Sequence, residues 1–153
     1  MVLDSIGGAW RARPAPDSLA IETFGPNPEG TRAALVVSSP GGAMLGTVSL
    51  DEWRFQPIIR WPSGSPNGPG ALTTTGVNWQ PAGSIYFAMW RRADDFPTIW
   101  GVGEDGGVPV RVSTMPSSCR LGSLAISLER RLGTCVGRDF RSDVWTIEGI
   151  GNR

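Results

Sequence analysis

Two series of residues recur in this chain at intervals near fifty, and they limit its folds more than any other feature. Trp53, Trp100 and Trp145 are each followed two positions later by an apolar residue, and their separations are 47 and 45 residues. The second series places arginine in short alternating runs: Trp10-Arg11-Ala12, Ile59-Arg60-Trp61 and Val110-Arg111-Val112, with arginine separations of 49 and 51 residues. Seven tryptophans can produce the first series by chance, but they do not also place the second. A period of this length marks supersecondary units that cannot bury their apolar faces alone and must pack on one another. The units are expected at about 8–55, 56–105 and 106–150, within a single domain spanning 1–153.

Each unit reads as β-structure. Short alternating runs, such as "SLAIETF" (18–24), "RAALVVS" (32–38), "MLGTVSLDEWRF" (44–55), "SIYFAMW" (84–90) and "VPVRVST" (108–114), are bounded by Gly, Pro, Asn and Ser, and no segment keeps a long helical period. Glycine and proline, 21 and 13 residues, are spread along the chain, as expected for many strands joined by tight turns. About twelve strands are expected, four per unit. The fold class is all-β.

Three four-stranded units of this size resemble a β-trefoil, in which six strands close a short barrel and three hairpins cap it. The openings "GGAWRA" and "EDGGVPVRV" and the ending "DVWTIEGI" are similar to those of small mushroom ricin-B-like lectins and trefoil protease inhibitors. In the ricin-B-like branch the last strand of a unit carries Gln-x-Trp. Here the triplets ending at Trp53, Trp100 and Trp145 keep the tryptophan in all three units and the glutamine in none. An alternative is an avidin- or lipocalin-like antiparallel β-barrel, which also begins with Gly-x-Trp. That barrel needs about eight strands and leaves several runs unused.

Composition narrows the chemistry. The net charge is zero, so no electrostatic grip on nucleic acid is expected. No apolar run approaches the roughly 18–20 residues that insert into a membrane. The start "MVLDSIGGAW" lacks the basic and apolar regions of a secretory signal, which leads to the expectation of a cytoplasmic chain or one whose signal has been removed. The absence of histidine removes the commonest general base and the commonest metal ligand. With only Cys119 and Cys135 left, no metal and no cofactor is expected. A strand at 123–130 and a turn at 131–133 set the two cysteines too far apart for a disulfide, so free thiols are expected.

The repeat separates aromatics that the core requires from those it does not. Trp10, Trp53, Trp61, Trp100 and Trp145 fall at opening or closing strand positions and are expected in the core. Trp79 and Trp90 have no large aromatic counterpart in the other units. In "SIYFAMW", alternation sets Ile85, Phe87 and Met89 on one face and Tyr86, Ala88 and Trp90 on the other. With the aliphatic face inward, Tyr86 and Trp90 are exposed near Arg91, and Trp79 stands beside Asn78 at a strand end. Exposed rings beside such donors suit a sugar, whose C–H face packs on the ring while the polar groups bond its hydroxyls. The first functional expectation is therefore a lectin-like protein binding a glycan or small-molecule ligand through Trp79, Asn78, Tyr86, Trp90 and Arg91. The second is a protease inhibitor acting through proline-stiffened loops, "FGPNPEG" (24–30) and above all "SGSPNGPG" (63–70), with Pro66, Asn67 and Pro69 as contact residues. A cofactor-independent enzyme comes third. No catalytic residue is singled out: adjacent Asp51 and Glu52 are expected on opposite faces of a strand, and Asp94/Asp95 and Glu104/Asp105 in turns, where carboxylates are solvated.

Overall fold

The computed structural model describes residues 2–6, 9–13, 19–62, 76–89, 97–115, 124–127, 132–136 and 142–146. They form β1 (Val2–Ile6), β2 (Ala9–Arg13), β3 (Ala20–Pro26), β4 (Arg32–Ser39), β5 (Gly42–Ser49), β6 (Phe55–Pro62) and β7 (Val77–Gln80). A short 3-10 turn (Pro81–Gly83) follows, then β8 (Ser84–Met89), β9 (Thr98–Gly103), β10 (Gly106–Thr114), β11 (Ala125–Ile126), β12 (Leu132–Val136) and β13 (Ser142–Thr146). Within each described sheet, strands that are neighbours in sequence pair antiparallel. The result is a hairpin β1-β2, two four-stranded sheets, β3-β4-β5-β6 and β7-β8-β9-β10, and a three-stranded sheet β11-β12-β13.

This topology is all-β, as expected, but it is not the β-trefoil. A trefoil barrel joins strands of different units in one closed ladder. Here each described ladder closes within its own sheet, and no described pairing links the first strand of a sheet to its last. The avidin- or lipocalin-like barrel fails on the same ground among the described residues. The lectin expectation drew on the trefoil resemblance and loses that support with it.

The sheets stack face to face. One apolar layer joins Ala34, Val36, Leu45 and Trp61 of the first sheet to Val77, Trp79, Ile85, Phe87 and Val102 of the second. Within it the Trp61 and Phe87 rings meet edge to face, 5.8 Å between centroids at 64°, an arrangement that adds about 0.5–1.5 kcal/mol beyond burial. Tyr86, Ala88 and Ile99 on the opposite face of the second sheet pack with Met115, Leu124 and Ile126 towards the third sheet. Ala33, Leu35, Val37 and Val48 on the other face of the first sheet form another buried layer. Strands β4 and β8 are thus buried on both faces, so "AALVV" and "IYFAM", expected to alternate between core and solvent, are apolar on both sides. The first strands of the sheets lie side by side, β7 touching both β3 and β11. At Gly25 this approach leaves no room for a side chain, because a Cβ there would run into the Val77 carbonyl oxygen.

The repeat has a different phase from the one expected. Arg60 and Arg111 lie on β6 and β10, the fourth strands of their sheets, and Arg11 lies on β2, the second strand of its hairpin. The arginine series therefore marks the ends of structural units. The tryptophan series is mixed: Trp100 and Trp145 occupy the third strands β9 and β13, whereas Trp53 lies in the turn between β5 and β6. The run 44–55, expected as one strand, breaks there. Trp53 takes φ 57°, and its N–H donates to the Ser49 carbonyl at 2.8 Å. Of the expected core tryptophans, Trp61 is buried and Trp53 and Trp100 are partly buried. The expected turn at 131–133 is also displaced, since Leu132 and Gly133 pair with Thr146 and Trp145 in β12-β13.

Candidate functional site

In each four-stranded meander the turn between strands one and two and the turn between strands three and four fall at the same end of the sheet. Hydrogen bonds join these turns to one another. Leu50 N donates to the Thr31 carbonyl at 2.9 Å, and Glu104 N donates to the Gly83 carbonyl at 2.7 Å. The β3-β4 turn is held from inside by Asn27, which is 8 % exposed. Its Oδ1 accepts from Thr31 N and Arg32 N, both at 2.9 Å. Its Nδ2 donates to Glu29 at 2.8 Å and to the Thr31 hydroxyl at 3.2 Å. All four hydrogen-bonding positions of the amide are thereby used.

This turn aims Arg32 across the gap between the two sheets. Arg32 Nη2 donates to the Thr47 hydroxyl at 3.0 Å, Nη1 reaches Glu104 Oε2 at 3.3 Å, and the guanidinium lies 5.1 Å from the Trp79 ring centroid. Glu104 is pinned in turn, its backbone bonded to Gly83 and its side chain packed 3.0 Å from where a Cβ on Gly83 would stand. Beside this latch an open cleft of about 670 Å³ is lined by Arg32, Thr47, Ser49, Glu52, Arg54, Phe55, Gln56, Pro57 and Asp105. Its walls come from the end of β5, the β5-β6 turn, the start of β6 and the β9-β10 turn.

Local chain geometry places these groups. The left-handed Trp53 reverses the chain and packs its own ring towards the Leu35 and Val48 layer, while its neighbours Glu52 and Arg54 line the cleft. Gly46 makes room for Phe55: a Cβ there would stand 2.6 Å from Phe55 Cζ. The register shift between Leu45 and Gly46 falls at this contact. Arg32 is paired with Glu104, but Arg54, Glu52 and Asp105 have no side-chain partner among the described residues.

The expected sugar platform is not assembled. Trp79 is 6 % exposed and Tyr86 5 %, because both faces of the second sheet are covered by neighbouring sheets rather than one face by solvent. Gly101 stands opposite Tyr86 in the ladder, and a Cβ there would stand 2.9 Å from the ring, so the bare glycine accommodates the tyrosine. Asn78 is half-buried and points to Gln80, whose Nε2 donates both to Asn78 Oδ1 and, at 2.9 Å, to the Ile126 carbonyl. Trp90 and Arg91, and the loop residues Pro66, Asn67 and Pro69, lie outside the described residues. The structure instead brings together Glu52 and Asp105, members of two acidic pairs that are 53 positions apart in sequence. In sequence Glu52 reads as part of a strand and Asp105 as a solvated turn carboxylate, and no local pattern announces that their two turns share one cleft.

No family model matches this sequence, and no curated protein matches it. Solved structures do. TolB from Acinetobacter baumannii superposes with a TM-score of 0.58 at 15 % identity, over 83 % of this chain and 30 % of its own. The GH74 xyloglucanase from Xanthomonas campestris gives 0.56 at 15 %, over 92 % and 25 %. The PQQ-bound aldose sugar dehydrogenase from Streptomyces coelicolor gives 0.53 at 20 %, over 80 % and 39 %. These are β-propeller-like proteins. The likeness is one of fold, and it replaces both the trefoil and the mushroom-lectin resemblance read from the sequence. The chain spans 25–39 % of the length of these three structures. Among the described residues, no helix is long and apolar enough to cross a membrane.

Proposed function

We propose that this chain is a run of blades of a β-propeller-type protein and that its turn-end cleft binds a small polar ligand. Consecutive four-stranded meanders, stacked face to face with their first strands side by side, support the propeller reading. Fold does not carry function, so the functional part rests on the site. The observation that carries it is the cleft of about 670 Å³ in which Arg54, Glu52 and Asp105 have no side-chain partner among the described residues and stand beside two hydroxyls and the Phe55 ring. That volume lies within the roughly 300–1,000 Å³ of ordinary ligand sites, and its rigid frame is the Asn27-Arg32-Glu104 network.

A second reading, a cofactor-independent enzyme, is favoured by one fact: Glu52 and Asp105 reach the same cleft from different sheets, as paired carboxylates must in general acid–base hydrolysis. Binding is preferred over it because both residues are exposed, whereas a general-acid carboxyl is usually held in a desolvated pocket.

Ligand-observed NMR on a chemically mixed small-molecule set tests the binding proposal. Ligands should bind the wild type and be lost or weakened in Arg54→Ala at unchanged Tm. Hits that survive Arg54→Ala and Asp105→Asn alike would place binding elsewhere and defeat the proposal.

A further inference from the structure

The charges of the cleft define a narrower class of ligand than polarity alone. Among the described residues four ionic side chains line it, and one of them, Arg32, is paired with Glu104 at 3.3 Å. Among the same residues Arg54 is a cation, and Glu52 and Asp105 are anions, without a side-chain partner. The complement of this set is a molecule with one carboxylate and two cationic groups. Glu52 and Arg54 flank Trp53 in the β5-β6 turn of one sheet, and Asp105 comes from the β9-β10 turn of the other. Phe55 supplies one apolar surface for an aliphatic stem, and Thr47, Ser49 and Gln56 supply neutral hydrogen-bonding groups.

Resting on the binding reading above, we infer that the cleft takes a short basic peptide with a free carboxyl terminus. Its carboxylate meets Arg54, its lysine or arginine stem crosses Phe55, and its cationic groups meet Glu52 and Asp105. Guanidinium binds carboxylate through paired N–H donors and gives the contact direction as well as charge. A neutral sugar would leave all three charges unmatched, and an acidic peptide would set its side chain against two carboxylates. A cleft of about 670 Å³ has room for a ligand of tripeptide size.

The probes are the tripeptide Gly-Gly-Lys, its C-terminal amide, Gly-Gly-Glu and the neutral trisaccharide cellotriose, titrated calorimetrically into the full chain at low salt. Gly-Gly-Lys should bind about threefold or more tightly than either its amide or Gly-Gly-Glu, the size expected for one solvent-accessible charge contact. Arg54→Ala should erase the difference between acid and amide while the preference for Lys over Glu persists. Asp105→Asn should reduce the preference for Lys and leave the acid–amide difference. Affinity for Gly-Gly-Lys should fall as ionic strength rises. Equal binding of acid and amide, or a preference for Gly-Gly-Glu, overturns the inference. Binding of cellotriose that Arg54→Ala weakens, with none of the peptides bound, overturns the charge class and leaves the binding reading standing. Absence of binding by all four probes overturns the inference, and failure of the wider NMR set as well would remove the binding reading with it.

Discussion

The guanidinium of Arg32 lies over the indole of Trp79, 5.1 Å from the ring centroid, and ties the first strand-to-strand turn of one sheet to the innermost strand of the next. The same ring is part of the apolar layer between the sheets. Trp79→Ala should therefore cost about 3–5 kcal/mol, as for a buried aromatic truncated in a core, and lower Tm sharply in thermal unfolding. A solvent-exposed Trp79 would instead tolerate the change, so an unaltered Tm would contradict the stacking of these sheets.

The coupling between the two side chains is open to a double-mutant cycle. Arg32→Met and Trp79→Leu, alone and together in urea unfolding, should show a coupling of about 0.5–1 kcal/mol, the range for a partly exposed cation over an aromatic face. The Arg32–Glu104 pair adds little to this, since both side chains are 35 % exposed and accessible ion pairs contribute about 0–1 kcal/mol. Additive effects would mean that Arg32 acts through Thr47 or Glu104 rather than through the ring.

Asn27 should rank among the costliest polar positions in the chain. Asn27→Ala removes the buried amide that accepts from Thr31 N and Arg32 N, a loss of about 0.5–1.5 kcal/mol because residues 28–31 of the turn are open to water. Asn27→Asp keeps both acceptor bonds but removes the donors to Glu29 and Thr31 and sets a carboxylate beside Glu29. Chemical denaturation should show both variants destabilised, and a neutral Asn27→Ala would show that the turn does not depend on its internal amide.

Gly25 and Gly41 form a matched pair for the approach of the inner strands. A Cβ at Gly25 meets the Val77 carbonyl, whereas one at Gly41 has only the Ser39 hydroxyl oxygen at 3.8 Å. Gly25→Ala should cost about 1–3 kcal/mol through overpacking, and Gly41→Ala should be close to neutral. Equal Tm values for the two variants would mean that β3 and β7 are not in contact.

Much of the local structure can be read from the residues alone. The strands at 9–13, 32–39, 84–89 and 98–103 follow from short apolar runs and from the Gly, Pro, Asn and Ser residues that bound them. The period near fifty is legible in the arginine series, since Arg60 and Arg111 lie on equivalent strands, but these strands end their sheets instead of opening the units as expected. These features depend on side-chain periodicity and turn chemistry within a few residues, and such interactions are written in order along the chain. What the strands build is not. A four-stranded meander can be one third of a trefoil or one blade of a propeller, and the choice depends on whether sheets join edge to edge or stack face to face. The side chains of β8 show the consequence: the alternation of Ile85, Phe87 and Met89 against Tyr86 and Ala88 is legible in the sequence, but it does not say that both faces will be covered. The cleft is further from view, since Arg32, Arg54 and Asp105 meet only because turns far apart in sequence fall at one end of stacked sheets. That proximity is set by packing between sheets, a long-range free-energy balance with no signature in any short stretch of residues.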